Sequence, residues 1–484
     1  MAKEKRKHLS KHRKLFTAAT ATATVALLAF DYVSGINSIL AWFIAIAALI
    51  VSGEMITVLN GLNGGYGMYM IGSRHGISFI DSISKKHQRL WTNVADIGLV
   101  LSLGLLSFVV FRHRMSKKKI AFGMVALVLL FVFVFTQLQL AMNFINIPKI
   151  SSMLASESSS ASAAPSIEGY TLGALTVAGG FSVLTFSAIL YNAVKIMVGL
   201  SVYLASLFTA HPNTGAISSQ IAGVAPVIPG IDMPLLAGII SLVILLIVHE
   251  FSHGVLARIA KVKLKSIGLV LLGVVPAGAY VEPEEKEIKK LDKTKQERIF
   301  VAGVTSNMVL SVIFFALMLV MAYAIMPGIE KTVVEVYSTI PNYPAYNVIA
   351  PGSIVEEWNG YPIRNLSSFV YAARNDTPFS TVSVVTNNGS YSFRTNSTGK
   401  IGVYIAEKEI VDKGIAGSVG NFFYVLFALS FLLNFLVAIV NLLPIPGFDG
   451  WQIYKLEINS KALNILGAIV IIALVVNVLP WFFY

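Results

Sequence analysis

Cysteine is absent from all 484 residues, so no disulfide can staple this chain and no thiolate can hold a metal. Any metal must therefore take His, Asp or Glu. Charge is also scarce: 13% of residues are Asp, Glu, Lys or Arg, against 55% hydrophobic, and the mean hydropathy is +0.72. That balance excludes an ordinary soluble domain and indicates a polytopic membrane protein. Acid is scarcer than base, and the formal net charge is +12. The placement of the excess argues against nucleic acid. Lys and Arg cluster in short loops beside apolar runs, where they set orientation and touch anionic lipid of the bilayer.

What is present is mostly apolar run. Candidate spans fall at about 15–30, 36–51, 94–111, 120–145, 171–207, 234–260, 299–326, 422–443 and 462–479. Some are short or ambiguous, so we expect about eight transmembrane helices. The basic start MAKEKRKHLSKHRK reads as a retained signal anchor with a cytoplasmic N-terminus. Residues 53–91 read as a cytoplasmic segment and the Ser-rich stretch 151–166 as a linker. The 171–207 run shows no strong break. Alternating the spans puts RHRMSKKK (112–119) outside, against the positive-inside rule.

Within the run 234–260 stands His249-Glu250-Phe251-Ser252-His253. Two histidines four apart project from one helix face, which suits two ligands of one tetrahedral zinc, with Glu250 as general base toward an activated water. Ionisable groups in hydrocarbon-grade sequence are costly, so a role is the default expectation; the bland reading is a buried polar cluster joining helices. His249 lies 14 residues after Leu235, about 21 Å along the helix at 1.5 Å per residue. The motif thus sits inside a core about 30 Å thick, nearer the end leading to Arg258, Lys261, Lys263 and Lys265, which the positive-inside rule makes cytoplasmic.

The stretch SIGLVLLGVVPAGAYVEP (266–283) does not suit a helix. It reads as a strand pair or re-entrant loop beside the metal, or as a surface loop. Residues 284–298 alternate acid and base as a solvated connector. Residues 331–412 change character: strand-like runs, a short helix at 366–373 and turns make a soluble α+β domain. It holds sequons at Asn365, Asn375, Asn388 and Asn396, which supports an external position.

Between the last spans, NLLPIPGFDG (441–450) stops any helix and presents Asp449. Alone, Asp449 reads as an ordinary helix N-cap. The alternation of spans instead brings it to the depth and side of His249 and His253. A third ligand there leaves a fourth position for water, as in catalytic zinc sites.

The sequence resembles the site-2 protease family of intramembrane zinc metalloproteases. The resemblance rests on His249-Glu250-x-x-His253 and on Asn441-x-x-Pro-x-Pro-x-x-Asp449-Gly450, reinforced by 268–283 and by Ala302-Gly303 with Asn307. It covers about 220–484, and AYNVIAPGSIVEEWNGYPI (345–363) looks like a PDZ segment of such proteases. It implies N-terminal spans over 1–219, a protease core divided into 220–330 and 413–484, and a PDZ-like extracytoplasmic domain at 331–412. It further implies one zinc per chain on His249, His253 and Asp449, Glu250 as catalytic base, and Asn307 and Asn441 as candidates for holding the substrate backbone or oxyanion. The partners would be single-span membrane proteins, cleaved within the bilayer by regulated intramembrane proteolysis at the cell membrane. The competing reading is a non-proteolytic membrane scaffold that binds its partner through the external domain.

Overall fold

The computed structural model describes residues 2–33, 38–62, 64–73, 75–144, 167–208, 223, 229–230, 233–325, 330–411 and 414–482. The Ser-rich linker at 151–166 lies outside them. Seven helices among the described residues are long and apolar enough to cross a membrane. The chain divides into two compact units, residues 1–315 with 426–484 and residues 316–425.

The first unit opens with α1 (Ala2–Val33) and α2 (Ser38–Asn60). α2 runs on past the expected end at Val51 to Asn60, because Gly53 does not end the helix. A side chain at Gly53 would meet the Gly67 backbone at 1.8 Å, so this glycine serves close approach rather than a loop. The stretch beyond α2, expected to be a polar segment, is structured. It forms β1 (Gly64–Gly65), β2 (Met68–Ser73) and α3 (His75–Lys86). β2 pairs antiparallel with β3 (Leu264–Leu272), from Met68 opposite Leu272 to Ser73 opposite Ile267. β3 turns at Gly273 (φ +59°) into β4 (Val275–Pro283), completing a sheet of order β1-β2-β3-β4. Of the readings open for 266–283, the strand pair is the one observed.

α4 (Gln88–Leu103) does not continue straight. Gly104 (φ +55°) breaks it, and a short return through α5 (Ser107–Val110) leads to α6 (Lys117–Phe144). α6 then runs beside α4 in the same direction. Lys119 Nζ lies 2.7 Å from Asp96, and Gly123 faces Val100, where a Cβ would meet its side chain at 2.6 Å. The long helix α7 (Ile167–Ser206) is also interrupted, at Gly180 (φ +65°), although the sequence showed no strong break there. The two breaks touch: a Cβ on Gly104 would fall 2.5 Å from the Gly180 nitrogen.

This return corrects the placement of the basic run 112–119. Arg114 bonds both carboxylate oxygens of Glu297 (2.9 and 3.0 Å) and also pairs with Glu457. Arg298 and Lys119 share Asp96. The run therefore sits at the same end of the unit as the 284–298 connector. The connector is solvated only in part, since Glu297 is fully buried.

α8 (Leu235–Ile259) carries the paired histidines. It ends with Lys261 in the left-handed region (φ +66°), while the Lys261 and Val262 amides bond Arg258 and Ala257 carbonyls, a Schellman closure. A short α9 (Glu285–Ile288) leads to α10 (Lys293–Val320). At the end of the chain, α12 (Ile415–Val440), α13 (Asp449–Glu457) and α14 (Ser460–Val478) follow.

The second unit holds a sheet of order β10-β5-β6-β8-β9, with β7 (Tyr361–Pro362) paired to β6 (Ile354–Trp358). Its other strands are β5 (Glu330–Thr339), β8 (Thr381–Thr386), β9 (Gly389–Arg394) and β10 (Val403–Val411), with β9 and β10 at the edges. The helix α11 (Leu366–Ala373) is closed by a capping box between Asn365 and Ser368. Trp358, Val334, Val382 and Phe393 are among its buried core. Three sequon asparagines have structural partners: Asn365 caps α11, Asn388 donates to Ser353, and Asn396 accepts from the Thr398 and Lys400 amides. Local turn chemistry thus accounts for those asparagines without reference to export.

Candidate metal centre

Three side chains from two distant segments converge. His249 Nε2 is 3.3 Å from His253 Nε2 and 3.3 Å from Asp449 Oδ2, and His253 Nε2 is 3.4 Å from Asp449 Oδ1. Tetrahedral zinc with bonds of about 2.0–2.1 Å separates its ligand atoms by about 3.3–3.4 Å. The two imidazole nitrogens already stand at such a separation, each faces one oxygen of Asp449, and one ligand atom from each of the three residues lies within 4.8 Å of the others. Asp449 Oδ2 is buried with no hydrogen-bond partner among the described residues, which is costly unless a cation meets it. His249, His253 and Asp449 form the one three-residue group of possible metal donors found among the described residues.

Each donor is held from behind. The Nδ1–H of His253 donates to the Ile299 carbonyl at 2.7 Å, so its Nε2 is left free as a donor atom to metal. The amide of Asn307, fully buried, meets Nδ1 of His249 at 3.1 Å, and its Oδ1 has no other partner. Turning that amide by 180° lets Oδ1 accept from Nδ1–H and leaves His249 Nε2 facing Asp449. Asn307 thus lies behind the His249 ring. Gly303, one turn away on α10, leaves room for both rings. A Cβ there would lie 2.4 Å from His249 Nε2 and 2.5 Å from His253 Nε2.

Asp449 is the first residue of α13, and the cap position belongs to Phe448, with no side-chain cap bond. The N-cap reading is therefore not what its carboxylate does. The proline-rich loop is closed by the Gly450 amide donating to the Asn441 carbonyl at 2.7 Å and by the Tyr454 hydroxyl donating to the Leu442 carbonyl at 2.9 Å. Burial pushes the Tyr454 phenol up to about 12, so it remains a donor. A Cβ on Gly450 would meet the Leu442 carbonyl oxygen at 2.3 Å, so this tight closure needs glycine. The Asn441 side chain has no partner among the described residues.

Glu250 is the remaining member of the motif. Its Oε2 accepts the Val281 amide of β4 at 3.3 Å, so the sheet edge lies directly against the carboxylate. The helix and sheet are further fixed by α3. Arg258 bonds both oxygens of Asp81, Phe79 packs on Phe251 with centroids 5.6 Å apart, and Ile80 and Val281 flank Gly254. Sequence reading missed Asp81, Ile299 and the β2 strand. Asp81 and Arg258 are 177 positions apart, and a backbone carbonyl carries no residue signature at all.

Comparison with known proteins places this arrangement. The model described as Peptidase family M50 matches residues 237–478, which include every residue of the centre. An uncharacterized protein of Methanocaldococcus jannaschii is 27% identical over 246 residues, 50% of this chain and 62% of the relative.

Proposed function

The chain belongs to peptidase family M50, and from that premise we propose that it is a zinc metalloendopeptidase of the site-2 protease type, cutting peptide bonds inside membrane-spanning segments. The observation that carries the reading is the convergence of His249, His253 and Asp449, whose ligand atoms lie within 4.8 Å of one another, with both histidines on a helix of membrane-spanning hydropathy.

His249, His253 and Asp449 would hold one zinc per chain. The ion supplies Lewis acidity, lowering the pKa of water and polarising the scissile carbonyl. Glu250 takes the proton of the attacking water and delivers it to the leaving amine. Asn307 and the Ile299 carbonyl orient the two imidazoles, and Asn441 remains the candidate for holding substrate backbone or the developing oxyanion. β4, against Glu250, presents strand backbone where an unwound substrate segment has to lie.

The substrates of this reading are single-span, membrane-tethered proteins that enter regulated intramembrane proteolysis. The end bearing 112–119 and 284–298 is cytoplasmic, as is the N-terminus, and the sheet unit at 331–412 is a PDZ-like extracytoplasmic domain that docks or filters substrates. The enzyme resides in the cell membrane as a multi-pass protein.

The test is a cleavage assay with single-span substrates alongside metal content by mass spectrometry, on detergent-purified variants. Asp449→Ala, His249→Ala and His253→Ala are expected to lose zinc. Glu250→Gln should keep about one zinc per chain and lose cleavage by several orders of magnitude. Undiminished cleavage by Glu250→Gln would sink the mechanism, and full occupancy in Asp449→Ala would sink the three-ligand centre. A scaffold predicts no measurable effect of Glu250→Gln.

A further inference from the structure

α4, α6 and α10 enclose a groove of about 660 Å³ that the metal chemistry does not use. Its walls are apolar: Ile97 and Leu101 from α4, Leu129 and Phe133 from α6, Met308 and Val312 from α10. Its size falls within the range of about 300–1,000 Å³ typical of ligand sites. Leu129 is 64% and Val132 52% exposed, so the groove is open where α6 reaches the surface.

At one end the groove changes character. Ile97 also lines a second cavity of about 270 Å³ with Asn93, Lys118 and Lys119. Asn93 and Lys119 in turn line a third, of about 430 Å³, with Arg89 and Thr92. Three cations, Arg89, Lys118 and Lys119, thus line the two cavities with one carboxylate, Asp96. Asp96 is already satisfied by Lys119 and Arg298. Arg89 and Lys118 are exposed and have no ion-pair partner among the described residues. A long apolar channel opening on unpaired cations and amide and hydroxyl donors complements a molecule with a hydrocarbon tail and an anionic head.

We propose that this groove is a site for one anionic phospholipid, its acyl chain lying along α4, α6 and α10 and its phosphate held by Arg89, Lys118 and Lys119. The position follows from the reversal at Gly104. The return through α5 makes α4 and α6 parallel neighbours, so their basic ends meet at one depth while their apolar faces run together. The site is separate from the metal centre, yet it shares α10: Met308 and Val312 line the groove, and Gly303 and Asn307 face the histidines.

The experiment uses the full chain in detergent micelles, with phosphatidylglycerol and phosphatidylcholine added at equal concentration and retention read by native mass spectrometry. Wild type should retain one phosphatidylglycerol per chain in at least tenfold preference to phosphatidylcholine. Arg89→Gln with Lys118→Gln should lower that retention about tenfold, whereas Lys286→Gln with Lys289→Gln should not. Ala126→Phe, which fills the groove, should lower retention with the cations intact. A photoreactive acyl chain on phosphatidylglycerol should label α4, α6 or α10 in the wild type, which needs no variant to fold. Equal retention of the two lipids, unchanged retention in the Arg89 and Lys118 variant, or labelling confined to other helices would overturn the proposal. So would binding of glycerol 3-phosphate alone as tightly as the lipid, since the groove would then contribute nothing. Displacement of the lipid by a single-span polypeptide would assign the groove to protein instead.

Discussion

Gly303 stands so close to His249 that a methyl group has no place between them: its Cβ would fall 2.4 Å from the ring. Close helix packing is the ordinary reason for a small residue in a membrane helix. Here the helix packs on the metal-binding rings themselves, so one hydrogen-to-methyl change acts on the centre directly.

Gly303→Ala is therefore expected to push both imidazoles out of register with Asp449 and to lower bound zinc to under a tenth of wild type. Gly278→Ala is the control, because its Cβ would meet only Val270 at an ordinary 3.6 Å. Metal content of both purified variants decides it; wild-type occupancy in Gly303→Ala would refute the steric argument.

Asn307 should behave as a positioning residue for His249. Removing an outer-shell partner costs about 10–100-fold in metal affinity, so Asn307→Ala should weaken zinc by that factor. Asn307→Asp, which can only accept, should retain tight binding if the asparagine accepts from Nδ1–H. Competition with a graded set of chelators measures both. Equal loss in Ala and Asp would mean that the amide donates to His249 instead.

Arg114, in the turn before α6, is tied to α10 through Glu297 and to α13 through Glu457, and Glu297 has no exposure. Breaking a buried ion pair by removing one partner costs about 3–5 kcal/mol; with Arg114 23% exposed, a loss near the lower end, about 3 kcal/mol, is expected for Arg114→Ala. Glu297→Gln in that background should recover part of it, because the stranded charge is gone. Thermal unfolding of the four members of the cycle in detergent gives the coupling, and strict additivity would contradict it.

In the sheet unit, burial raises the Asp376 carboxyl above its ordinary value, against the bonds donated by Trp358 and Asn359. A carboxylate whose pKa is higher folded than unfolded stabilises the protonated fold. That contribution is fully present below the unfolded value of about 3.9 and is lost as pH rises through the folded one. Asp376→Asn should remove this part of the pH dependence. Hydrogen exchange of residues 330–411 in wild type and variant, compared at matched pH from 4 to 7, tests the sign. A stability difference that does not change across the range would rule it out.

Much of the centre was legible because its signals are local or rare. His249 and His253 share a helix face by spacing alone, and Asp449 stands out in a loop where Pro444, Pro446 and Gly447 forbid helix. Helix 366–373 and the Asn359-Gly360 turn, both residues at positive φ, follow from capping and turn chemistry within a few residues. What was not legible depends on distant partners. The helix breaks at Gly104 and Gly180 meet across 76 positions, and either glycine alone reads as one more small residue in an apolar run. The same holds for Arg114, whose charge looked misplaced until Glu297 and Glu457 were found beside it.

The pairing of β2 with β3 also sets a timetable. Ser73 meets Ile267, 194 positions later in the chain. At about 5–20 residues per second of synthesis, Met68–Ser73 waits roughly 10–40 s for its partner. Through that interval its outer backbone groups have no β3 to bond, and a bare strand edge invites wrong neighbours. The Gly53–Gly67 contact with α2 is available from the start and gives the waiting strand a dock. A gene beginning at the family match, residue 237, would make the hairpin beside Glu250 without the strand that was made first to receive it.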